Sequence, residues 1–102
     1  MANFALRYSP LFYDDLDRIT NYILLDLKNE IATKAFIDDI ETAIKKRLAS
    51  PLQAAVYPSM RRREYEYRRI LVGNYLIFYV VIERTMIVRR LLYGRRDLDK
   101  IL

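Results

Sequence analysis

The chain has 102 residues, 53% of them hydrophobic, and a formal net charge of +5. It contains neither cysteine nor histidine, which excludes disulfide frameworks, thiol nucleophiles, His-dependent triads and zinc sites built on those ligands. At this length one domain over residues 1–102 is expected, with an apolar core that needs no metal, cofactor or cross-link.

In chain order, Asn3 to Tyr8 alternates, with Phe4, Leu6 and Tyr8 on one face, and reads as a short edge strand. Ser9-Pro10 then reads as an N-cap with proline at the first helical position. Phe12, Leu16, Ile19, Ile23 and Leu27 recur at helical spacing, giving that helix one stripe to bury. Asp14, Asp15 and Asp17 near its start suit the helix dipole, and with Asp26 they read as a solvated face. Lys28-Asn29-Glu30 is the break, with Asn29 as the next cap. The second helix carries its stripe on Phe36, Ile40, Ala43, Ile44 and Leu48, and Lys45, Lys46 and Arg47 crowd its last turn before Ser50-Pro51 ends it. The connection is short, so the two helices form an antiparallel hairpin.

Pro51 to Met60 reads as a loop crossing to the sheet. Three strands are then expected, over Tyr65–Val72, Tyr75–Ile82 and Met86–Tyr93. Gly73-Asn74 is a strong hairpin signal, since both residues tolerate positive φ. Glu83-Arg84-Thr85 closes the second hairpin. The strand Tyr75–Ile82 is apolar at both parities, as a central strand covered on both faces should be. Leu98, Ile101 and Leu102 are expected either to pack as a final helical turn or to extend the sheet. The fold class is α+β: an N-terminal antiparallel helix hairpin packed on a three- to four-stranded antiparallel sheet. The first residues do not read as a signal peptide and no apolar run spans a bilayer, so a soluble, cytoplasmic protein with no membrane partner is the expectation.

The charge is unevenly placed. Residues 1–49 carry a net −1 and residues 50–102 a net +6, most of the excess being arginine. Guanidinium groups suit bidentate contact with phosphate or carboxylate, so an anionic partner is expected, either nucleic acid or an acidic peptide. Strand neighbours point to opposite faces, so Arg68 and Arg69 are not equivalent, nor are Arg89 and Arg90. Tyr65, Tyr67 and Arg69 share a parity, as do Arg89 and Tyr93. A face left open by the helices would show arginines interleaved with tyrosines, which fits single-stranded RNA or a protein partner. Paired-carboxylate catalysis and a carboxylate metal site find no support in the spacing.

The run Tyr67-Arg-Arg-Ile-Leu-Val-Gly-Asn-Tyr-Leu-Ile-Phe-Tyr79, followed by Val88-Arg-Arg-Leu-Leu-Tyr-Gly-Arg-Arg-Asp97, resembles the RelE/ParE family of bacterial type II toxins. Tyr8-Ser-Pro and Asp15-Leu16…Ile19…Tyr22-Ile23 resemble its first helix. The resemblance implies a helix hairpin on an antiparallel sheet and the toxin of a toxin–antitoxin, or plasmid-stabilisation, module. The Gly-Asn-Tyr-Leu-Ile-Phe-Tyr wording is closer to the ParE branch, which implies inhibition of DNA gyrase without covalent chemistry. The alternative is a RelE-like, ribosome-dependent mRNA endoribonuclease, in which Arg69 and Arg96 fall at positions of catalytic basic residues and Tyr93 where other members carry a histidine. Leu76 stands where those members have a phosphate-contacting arginine, Tyr67 replaces a basic residue, and Leu102 lies where some have a tyrosine. A degenerate member that only binds an antitoxin is the second alternative.

The family further implies a cognate antitoxin as partner, with a homodimer or a toxin–antitoxin hetero-oligomer as the assembly, and no cofactor or metal. Arg61, Arg62, Arg63, Tyr65, Tyr67, Arg89, Arg90 and Arg95 are the expected target- or antitoxin-contacting residues.

Overall fold

The alternation of Asn3 to Tyr8 becomes strand β1 (Ala5–Tyr8), followed by α1 (Pro10–Asn21), a π-helical turn (Tyr22–Asp26) and α2 (Glu30–Leu48). A 3₁₀ turn (Pro51–Gln53) leads to β2 (Arg68–Val72), β3 (Tyr75–Ile82) and β4 (Thr85–Tyr93). The structure is a computed structural model that describes residues 3–57 and 65–94. The arginine triplet 61–63 and the tail from residue 95, with Leu98, Ile101 and Leu102, lie outside the described residues.

The sheet order is β1-β4-β3-β2. β2, β3 and β4 form the two expected antiparallel hairpins, but β1 pairs with β4 in parallel, Ala5 facing Thr85 and Tyr8 facing Val88. The sheet is therefore mixed. The helices intervene between β1 and the hairpins, and a strand entering the far edge after that excursion runs in either sense with equal sequence pattern. Both hairpins close over two residues. Gly73 takes the left-handed conformation at φ 58°, and so does Glu83 at φ 56°.

Helix starts follow local chemistry, with one departure. Asn29 caps α2, its side chain accepting from the Ala32 amide at 2.9 Å. Ser9 stands at the N-cap position of α1 but makes no cap bond. Its hydroxyl is drawn to the Val88 and Arg89 carbonyls, at 3.1 and 2.8 Å, because β1 ends there and leaves the edge of β4 unpaired. The first turn of α1 holds no acidic residue; Asp14 and Asp15 come one turn later.

Both expected stripes reach one core. Phe12, Ile40 and Ile44 pack on Ile77, Tyr79, Met86, Val88 and Leu91, with Leu16, Ile19, Phe36, Ala43 and Leu48 at the margin. Fully burying one such side chain contributes about 1.5–3 kcal/mol. The stripe of α1 fails at its end: Leu27 is 56% exposed. The π turn takes in an extra residue and rotates the sequence off its 3.6 period, so the tip of the hairpin shows Leu24, Leu25 and Leu27 to solvent.

In β4 the alternation breaks. Tyr79 pairs with Val88 and Phe78 with Arg90, so Arg89 is an extra residue in a β-bulge. Before the bulge Met86 and Val88 face the helices; after it Leu91 does, while Leu92 joins Phe78 on the other face. Face assignment by parity does not carry across such an insertion. Phe78 is fully buried although the helices lie on the other side, because Tyr57 and Tyr67 meet it edge-on with ring centroids 5.2 and 6.3 Å away. The crossing segment supplies this cover by pairing Val56 with Arg68. As expected for a central strand, Ile77 to Val80 are all buried.

Candidate functional site

The arginines of the sheet sort into engaged and displayed groups. Arg90 is engaged. Its Nε donates to Asp15 Oδ2 at 2.8 Å and its Nη2 to Asp15 Oδ1 at 3.1 Å. Asp15 also accepts the Leu91 amide at 2.9 Å and Arg18 at 2.9 Å. A helix carboxylate thus stands where a neighbouring strand would have continued past β1, satisfying the β4 edge at the bulge. Burial pushes the Asp15 carboxyl up, but the bonds from Arg90, the Leu91 amide and Arg18, with the Arg90 charge, outweigh it and leave the group below its ordinary value. The same pairing raises Arg90 further.

This corrects one expectation: Asp15, read as part of a solvated face, is 1% exposed. Arg90, an expected contact residue, is held by it. The signal for Asp15 was in the sequence: position 15 falls on the Phe12, Leu16, Ile19 stripe.

Arg68 is held too, its Nη1 donating to the Ala54 carbonyl and, at 3.3 Å, to that of Leu52. Arg69 and Arg89 are displayed to solvent. Arg69 lies over the Tyr57 ring, 5.4 Å from its centroid, and pairs in register with Phe78. Arg69, Tyr57 and Tyr67 therefore share the face away from the helices. Tyr65 is 42% exposed. Tyr93 is 38% exposed and leans on Tyr75 at 5.6 Å, and Tyr75 in turn meets Phe36 of α2 at 5.1 Å. Tyr93 pairs with Tyr75, three positions from the Phe78 that pairs with Arg69. Those two side chains thus occupy opposite faces of the sheet. Arg96, with Arg61, Arg62, Arg63 and Arg95, lies outside the described residues.

Among the described residues no three acidic side chains come together as a metal site requires, and no helix is long and apolar enough to cross a membrane. What the surface offers is recognition: displayed guanidinium groups, aromatic rings, and an apolar helix tip. Sequence reasoning passed over Tyr57, whose cover of Phe78 depends on a single bridge in an otherwise irregular segment. It also passed over Arg47, although position 47 falls on the stripe of α2 beside Ile44 and Leu48.

The model of the ParE toxin of type II toxin–antitoxin system, parDE, matches residues 6–98. In architecture the chain is similar to a chain of the chromosomal ParDE TA system from P. aeruginosa, with a TM-score of 0.71 and 20% identity, covering 89% of this chain and 96% of that one. It is also similar to a chain of the RelB-RelE antitoxin-toxin complex from Methanococcus jannaschii, with a TM-score of 0.56 and 23% identity over 94% and 99% of the two chains. At these identities the likeness is one of fold. No curated protein matches by sequence. A helix hairpin on a four-stranded sheet, carrying displayed arginines, is in this context a toxin of the type II toxin–antitoxin class. Within that class, the chain belongs to the ParE toxin family.

Proposed function

We propose that the protein arrests growth by binding DNA gyrase in the cytoplasm, without covalent chemistry of its own, and that a cognate antitoxin neutralises it. The observation that carries this reading is the ParE family match over nearly the whole chain. Geometry agrees with a binding role. Arg69 and Tyr93, two residues a ribonuclease reading would use, point to opposite faces of the sheet, so they are not arranged around one scissile phosphate. Arg69, Arg89 and Tyr65 are the described residues offered for contact with target or antitoxin, the basic charge of the sheet half favouring an acidic partner surface.

The test is a supercoiling assay with purified toxin and gyrase, alone and with the product of the adjacent reading frame. Loss of supercoiling that the second protein restores is the expected result. Undisturbed supercoiling at stoichiometric toxin, with mRNA cleavage on translating ribosomes instead, would replace this reading with the RelE-like one.

A further inference from the structure

Apolar side chains that the core does not take are gathered at one end of the helix hairpin. Tyr22, Leu24, Leu25, Leu27 and Ile31 are all exposed, Ile31 to 84% and Leu25 to 64%. Monomeric proteins seldom leave a contiguous apolar patch beyond about 300–600 Å² uncovered, and larger ones mark interaction sites.

Backbone bonds fix this tip. The Leu27 amide donates to the Tyr22 carbonyl and the Asn29 amide to that of Ile23, both at 3.2 Å. Lys28 takes the left-handed conformation at φ 50°, and Asn29 then caps α2. The leucines are thus presented in a set arrangement, which lowers the ordering cost of a contact they make.

The surrounding charges decide what kind of surface fits. Asp26 and Glu30 are acidic, Lys28 and Lys34 basic, and all four are exposed. Ion pairs among the described residues join Arg18 and Arg90 to Asp15, and Lys45 to Glu41. None of them involves the four charges of the tip, which sum to zero. A patch of no net sign, unlike the sheet half, gives no steering toward nucleic acid, an acidic peptide or an anionic membrane. It does match a second copy of itself. A two-fold axis brings the same patch from both chains together, so the acidic groups of one can face the basic groups of the other.

We propose that two copies of this chain associate through their hairpin tips, in an apolar contact rimmed by Asp26, Lys28, Glu30 and Lys34. Five apolar side chains exposed to this extent offer on the order of 500 Å² per chain, or roughly 1,000 Å² in the pair, the lower end for a specific interface. The dimer is therefore weak, forming at about 10 µM to 1 mM. It uses none of Arg69, Arg89 and Tyr65, so it stands independently of the target proposed above.

The test is sedimentation velocity of the full chain across that concentration range. The weight-average mass is expected to rise from one chain's 12.3 kDa toward twice that value. Leu25→Ser and Ile31→Ser should each raise the midpoint concentration roughly tenfold or more. Leu71→Ser, 70% exposed on β2, should leave it unchanged. Charge reversal gives a second readout that stands even if a serine variant fails to fold. Lys28→Glu with Lys34→Glu makes a wholly acidic tip, and Asp26→Lys with Glu30→Lys a wholly basic one. Neither should self-associate within the range, and an equimolar mixture should associate at least as tightly as wild type. The proposal is overturned if the chain stays monomeric throughout, if the dimer survives both Leu25→Ser and Ile31→Ser, if Leu71→Ser disrupts it equally, or if the mixed charge variants stay apart. A monomer whose Leu25→Ser variant loses binding to the product of the adjacent reading frame would also overturn it, giving the tip to that protein instead.

Discussion

Asp15 and Arg90 lie 75 positions apart in sequence and 2.8 Å apart in space, and their pairing ties α1 to the bulged end of β4. Asp15→Ala removes the carboxylate that a half-buried guanidinium donates to and leaves the Leu91 amide unsatisfied. A loss of about 3 kcal/mol or more is expected, read from urea unfolding. The pH dependence follows from the lowered carboxyl. A group whose folded pKa lies below its unfolded one stabilises the fold fully above the unfolded value, and that contribution disappears as pH falls through the folded value. The wild-type protein should therefore lose more stability than Asp15→Asn on acidification from roughly pH 5 to pH 2, while the gap between them stays constant above pH 5. Equal acid slopes would show that the pair contributes nothing.

Neighbouring arginines on β4 should behave in opposite ways. Arg90→Ala is expected to cost stability on the scale of Asp15→Ala. Arg89→Ala, on the exposed bulge, should stay within about 0.5 kcal/mol of wild type. A defect in growth arrest from Arg89→Ala with unchanged melting would place that side chain in target contact. Unchanged arrest would remove it from the contact surface.

Tyr79 is fully buried with its hydroxyl donated to the Pro51 carbonyl. Tyr79→Phe leaves that acceptor without its donor and should cost about 1–2 kcal/mol. Burial raises the hydroxyl above its ordinary pKa of 10.0, so the neutral form favours the fold. Its contribution is complete below pH 10 and is lost as pH climbs above that value. The alkaline limb of the unfolding profile should accordingly be shallower in the variant.

Glu83 holds φ at 56° in the β3–β4 turn, a conformation that costs most L-residues roughly 1–2 kcal/mol and asparagine less. Glu83→Asn should raise stability by about 0.5–1 kcal/mol in thermal or urea unfolding. The equivalent change at Gly73, to alanine at φ 58°, should lower it, although nothing lies within 4 Å of an added Cβ. Backbone strain, not space, decides both.

Local chemistry made much of this fold legible in advance. Asn29 caps, the stripes of Phe12 and Ile40 point inward, the two-residue turn at Gly73-Asn74 forms, and Ile77 to Val80 are covered on both sides. Each depends on residues near one another in sequence. What escaped depends on residues far apart. The direction of β1 is decided by its neighbour 80 positions on. The bulge at Arg89 reverses the faces of everything after it without leaving a mark in composition. The position of Asp15 on the stripe of α1 marks it for burial, but the partners that hold it there, Arg90 and the Leu91 amide at the free edge of β4, come from 75 and 76 positions away. For the site, the charge excess of the sheet half was plain, but which arginines are free depends on acceptors that only the folded chain brings near. The carbonyls of Leu52 and Ala54 take Arg68, and the carboxylate of Asp15 takes Arg90.

The parallel union of β1 with β4 also governs when the molecule can come into being. Ala5 must wait for Thr85, and until that strand has been synthesised the helices have no completed floor to lie on. Long-range closure of this kind is slow compared with hairpin formation, so pulse-labelled amide exchange should find Ala5 and Ser9, whose amides donate to the Arg84 and Val88 carbonyls, protected after Ile77 and Val80. A message truncated ahead of β4 would then yield an inert polypeptide, and the cell meets its poison only once that strand has been made.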